Sequence, residues 1–210
     1  MPRPKTFSYV LSLALVLLAI PALKAQSNRQ VLDQDTGDLG GDGTPEKVEV
    51  IMTSTADTTI REVLIYGKYG DDWELWKRVS GGVLLPTDNT DPFVGVEIKE
   101  GQLLLHHLGG EQVRWTFTHH FELKQGGWFL SRAIMTYTRR CESVKTIDFD
   151  LALGTVAYLE ETNKCEANAV NQELVNRNEL LFIDKLPLLE GFVPGTNRMK
   201  IPGTTIEFFF

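Results

Sequence analysis

The 210-residue chain has only two cysteines, little basic charge and no recognisable catalytic signature. G-x-S-x-G, H-E-x-x-H and C-x-x-C are all missing. Without them there is no local motif for a nucleophile elbow, a zincin helix or a thioredoxin-like redox pair. Lys and Arg number 21 against 28 Asp and Glu, a net charge of −7. Proteins that grip nucleic acid display a basic stripe, so this balance speaks against such a partner. It gives no encouragement to docking on an anionic membrane either.

No stretch is apolar for the ~20 residues that a bilayer core demands, and the unbroken apolar run near the N-terminus is too short as well. That run belongs to a tripartite pattern over residues 1–25. Arg3 and Lys5 form a positive segment, Tyr9 to Leu18 an apolar one, and Ala22-x-x-Ala25 puts small residues where a signal peptidase cuts. The pattern predicts cleavage after Ala25, a mature chain starting at Gln26, secretion to the periplasm or the cell exterior, and no membrane span afterwards. Removing the leader's basic residues makes the mature chain more acidic still. Cys141 and Cys165 then lie in a chain addressed to an oxidising space, and they are expected to pair.

What is abundant is strand pattern. From Glu46 to Glu161, β-branched and aromatic runs recur at roughly ten-residue spacing, separated by Gly and Asp turn signals. In the clearest run, Val113, Trp115, Phe117, Phe121 and Leu123 share one face, and Arg114, Thr116, Thr118 and Glu122 the other. That period of two suits a half-buried antiparallel strand. The spacing predicts an all-β antiparallel sandwich or partly closed barrel over 38–167. A flexible segment, 26–37, is expected before it. A short helix near Asn168–Leu180 and an irregular tail to 210 are expected to pack on it. The terminal Phe208-Phe209-Phe210 raises the rival of an outer-membrane barrel, but the strands show no lipid-facing apolar band.

One motif carries chemistry. Asp38-Leu39-Gly40-Gly41-Asp42-Gly43-Thr44-Pro45-Glu46 spaces carboxylates around a sharp Gly turn, as a hard cation surrounded by oxygens requires. Asp38, Asp42 and Glu46 are the candidate ligands, and calcium the candidate ion; Gly40 supplies no side chain. This loop with its following strand and export signal resembles the single calcium-loop unit of FG-GAP or VCBS-type repeats. Leu108–Trp115, Trp128–Leu130 and Ile147–Val156 resemble downstream segments of small exported bacterial proteins of unknown role. The resemblance implies an all-β fold and weak calcium binding, and no activity.

The histidines come as His106-His107 and His119-His120. Neighbours on a strand point to opposite faces, so neither pair chelates a metal through both rings. A tight Gly109-Gly110 hairpin would set His107 beside Gln112, far from His119. Asp148 and Asp150 share a face and are expected to meet water. The reading is therefore an exported binding or structural module with an unknown envelope or extracellular partner. The alternative is a hydrolase acting on an envelope or extracellular polymer through acid and base carboxylates.

Overall fold

The computed structural model describes residues 28–87, 89–162, 164–165 and 172–210. The signal segment lies outside the described residues. The described part is all β, with antiparallel pairing throughout.

A four-stranded sheet runs in chain order through β1 (Asn28–Gly37), β2 (Glu46–Ser54), β3 (Thr59–Tyr69) and β4 (Asp72–Ser80). A seven-stranded meander follows: β5 (Phe93–Lys99), β6 (Gln102–Gly109), β7 (Val113–Lys124), β8 (Gly127–Arg139), β9 (Ser143–Asp150), β10 (Thr155–Thr162) and β11 (Glu173–Leu180). A last hairpin joins β12 (Arg198–Lys200) to β13 (Glu207–Phe209). The alternation seen in the sequence explains the layering. Val48, Val50, Val63, Ile65 and Val79 of the small sheet bury into one core with Leu103, Leu105, Phe121, Met135 and Phe149 of the large one. The result is an open sandwich, as the period-two pattern requires.

Where the two sheets meet, side chains replace a strand pairing. Asp33 Oδ2 accepts from Val96 N at 2.8 Å and Asp35 Oδ2 from Ile98 N at 2.7 Å. These carboxylates, two residues apart on β1, cap alternate N–H groups on the edge of β5. The chain predicted to be flexible over 26–37 is therefore a strand from Asn28 onward. Its polar residues serve an edge and a junction rather than a core, which hid it from a hydrophobicity-based reading.

The predicted C-terminal helix is also corrected. Glu173–Leu180 is strand β11, paired to β10 from Thr155↔Leu180 to Glu161↔Glu173, while 168–171 lie outside the described residues. Its residues are good helix formers locally, but the open edge of β10 offers a full set of backbone partners, and context overrides propensity.

The tail fastens the two layers. Four strands are narrower than seven by three spacings, about 14 Å, and tail side chains supply much of the remaining cover. Phe192 lies 5.0 Å from the His119 ring and 5.7 Å from Phe121, and Phe208 and Phe210 pack edge-on to Phe149 at 5.7 and 5.5 Å. The segment 187–192 bonds both sheets: Leu189 N donates to Trp128 O on β8, and Gly191 N to Ser80 O at the end of β4. The tail thus lies against both sheets, and the helix expected before it is a strand. Cys141, in the β8–β9 turn, is bonded to Cys165 beyond β10, with Cα atoms 5.0 Å apart.

Candidate functional site

The loop between β1 and β2 begins the inventory. Asp38 Oδ1 accepts from Asp42 N and Oδ2 from Gly43 N, both at 3.0 Å, and Asp42 Oδ1 accepts from Thr44 N at 2.8 Å. Gly41 and Gly43 hold φ values of 74° and 85°, which the reversal needs and an L side chain resists. Glu46 is buried, and its Oε2 accepts from Leu39 N at 2.7 Å. Burial pushes the Glu46 carboxyl up. The Leu39 N–H opposes this, and the nearby charges of Asp42 and Asp38 add to it.

The three predicted ligands are therefore neighbours in space, but their carboxylates hold the turn's backbone. Asp42 Oδ2 and Glu46 Oε1 make no hydrogen bond among the described residues. No group of three or more His, Cys, Asp or Glu is disposed there to hold a metal, among the described residues. Beside the loop, Asp42, Glu46, Trp76, Leu123 and Trp128 line a cleft of about 240 Å³. Leu123, expected in the core with Phe121, is 49% exposed at its rim, because that end of β7 runs past the packed interior.

A second concavity of about 430 Å³ lies on the outer face of the seven-stranded sheet, across β8 to β11. Register builds it. Asp148 and Asn178 flank Ala157 from the two neighbouring strands, and Asp150 and Leu180 flank Thr155 in the same way. The short side chain of Ala157 leaves a floor between polar walls. Arg132 donates to Asp148 through Nε at 2.7 Å and also through Nη2, and Asp150 Oδ1 accepts from Leu153 N at 2.7 Å. That leaves Arg132 Nη1, Asp150 Oδ2 and the Asn178 amide without a hydrogen bond among the described residues. The sequence flagged Asp148 and Asp150 as water-facing, and they line this groove. It missed Arg132, hidden within an apolar strand, and Asn178, hidden by the helix expectation.

A third, almost wholly apolar cleft of about 570 Å³ lies at the opposite end of the sandwich from the β1–β2 loop, lined by Ile60, Val83, Leu84, Leu85, Phe192 and Val193. Arg61 beneath it is tied to Asp91 and donates to Leu84 O.

The histidines divide as strand phase predicts, with one correction. His106 and His120 lie on the outer face, bonded to Thr118 and Gln102 at 3.1 and 2.9 Å. His107 and His119 are buried on the inner face. The β6–β7 register pairs Gly109 with Trp115 and hence His107 with Phe117, so His107 does not lie beside Gln112, and its ring centroid is 6.1 Å from that of His119. The Trp115 indole covers Gly109 so closely that a Cβ there would lie 2.3 Å from the ring, a packing that a two-residue turn would break.

Comparison of the chain with protein-family models, with curated proteins and with solved structures finds no match. None of these comparisons supports the likeness of the loop to FG-GAP and VCBS units. No helix among the described residues is long and apolar enough to cross a membrane.

Proposed function

We propose that the protein is an exported binding module whose contact surface is the outer face of the seven-stranded sheet. The observation that carries this reading is the groove of Arg132, Asp150, Ala157 and Asn178, which is open, polar and still rich in unused hydrogen-bonding capacity. Binding sites set a few convergent polar groups in a concave surface, and in this groove such groups converge from four strands. Export follows from the leader pattern, and a bonded Cys141–Cys165 pair accords with an oxidising compartment.

Calcium has a secondary place at Asp38, Asp42 and Glu46. Burial is the main cause that raises Glu46, and the smaller repulsion from Asp42 and Asp38 is what a cation would relieve. The commitment of these carboxylates to backbone N–H groups keeps the affinity low, in the ~10⁻⁴–10⁻³ M range of extracellular modules. A hydrolase is supported by Glu46 alone, a carboxyl held up by burial at the wall of the Trp76 cleft.

The test is capture. Immobilised mature protein is incubated with envelope extract beside the variant Ala157→Trp, which fills the groove while removing no bond. The wild type is expected to retain a component that the variant loses. Equal retention by both would contradict the reading.

A further inference from the structure

Resting on that binding-module reading, we infer that the groove takes a neutral saccharide, with one sugar ring lying against Phe182 and its hydroxyls on Arg132, Asp150 and Asn178. A sugar ring presents two surfaces: a rim of hydroxyls, each both donor and acceptor, and a flatter face of polarised C–H groups. A receptor needs polar groups of both senses along a wall and an apolar or aromatic plane beside it.

Both are built here. Arg132 Nη1 offers donors, Asp150 Oδ2 accepts, the Asn178 amide does both, and the Thr155 hydroxyl completes the wall. The row Asp150–Thr155–Leu180 crosses two strand spacings, about 10 Å.

The aromatic plane stands at the end of that row. Leu181 N donates to Gly154 O at 2.9 Å, which brings Phe182 onto the β9–β10 turn next to Thr155. A Cβ at Gly154 would lie 2.2 Å from Phe182 Cδ1, so only glycine, already required by its φ of 68°, seats the ring there. Phe182 is nonetheless 69% exposed, and Leu180 beside the groove is 65% exposed. The ring rests on the turn while most of the residue stays open to solvent. The negative π face attracts the positive edge of C–H groups, the same electrostatics that orders aromatic pairs.

Charge narrows the class. Asp148 and Asp150 line the groove against the single cation Arg132, so uronic acids and phosphorylated sugars are repelled.

The experiment titrates ¹⁵N-labelled mature protein with neutral oligosaccharides (cello-, malto- and chito-oligomers) and with oligogalacturonate as the acidic counterpart. A neutral oligomer is expected to shift the amides of Thr155, Ala157 and Asn178. Phe182→Ala is expected to weaken its binding about tenfold, Ala157→Trp to abolish it, and thermal melts of both variants to stay near the wild type. Binding indifferent to Phe182→Ala, or oligogalacturonate bound more tightly than every neutral oligomer, would overturn the inference. If no oligosaccharide shifts the groove while Ala157→Trp still abolishes capture from extract, the saccharide assignment falls and the module reading stands. If Ala157→Trp leaves capture intact, the module reading itself fails.

Discussion

His119 is completely buried, and neither ring nitrogen has a hydrogen-bond partner among the described residues. A charged imidazole in such a place would lose its hydration with no replacement, so the ring is held neutral. Burial, then the neighbouring His107 and His120, pushes the His119 pKa down to about 3. His107 is pushed to about 4 by burial, with Arg61 and His106 acting in the same direction and Asp91 against. Its Nε2 accepts from Leu84 N at 3.3 Å, which leaves the ring proton on a buried, unpartnered Nδ1. Unfolded, both rings titrate near 6.5. The folded chain then binds fewer protons than the unfolded one, so this stability is complete above about pH 6.5 and lost as pH falls toward the folded values. From about pH 7 to about pH 5, each histidine is expected to cost about 2 kcal/mol. Urea melts of the wild type should lose stability over that interval, and His119→Leu should lose about 2 kcal/mol less. Equal losses in the two proteins would show that His119 is not held neutral.

At the scale of elements, the β1–β2 loop makes the sharpest prediction. Calcium on Asp42 and Glu46 would pin the turn that launches β2, so millimolar calcium should raise the melting temperature by mass action. Asp42→Ala should abolish that rise while leaving the calcium-free melt nearly unchanged, since Asp42 is exposed and its carboxylate bonds only Thr44 N among the described residues. No shift and no calorimetric heat in the wild type would leave the loop a hydrogen-bonded turn. The sequence made this loop legible because its ligand spacing is local. It made β2 to β10 legible for a similar reason: each strand carries its own alternation and its own Gly or Asp turn, and the bounds fall within a few residues of those expected. β1 and β11 were not legible, because edge strands draw their reason to exist from a neighbour's free backbone. The groove was not legible at all. Asp148 and Asp150 were visible as a pair, but their juxtaposition with Arg132, Ala157 and Asn178 depends on the register of four strands. The expectation that His107 lies beside Gln112, far from His119, failed on the same ground, a register that Trp115 decides by resting on Gly109.

The whole molecule is a sandwich whose large sheet has a buried and a free face. Its inner face is consumed by the small sheet and by Leu189, Phe192, Phe208 and Phe210 of the tail. The outer face is left as a polar surface, laced by His120–Gln102–Glu122 and Arg132–Asp148 contacts, with one groove among them. In the proposed reading the small sheet and tail hold the large sheet in shape, and the large sheet meets the ligand. Hydrogen–deuterium exchange of the mature protein with and without the envelope component it captures tests that division most directly. Protection on binding is predicted in peptides covering β8 to β11 and the turn at Gly154, with those of β1 to β4 unchanged. Protection centred instead on the β1–β2 loop, or on β3 and β4, would contradict it.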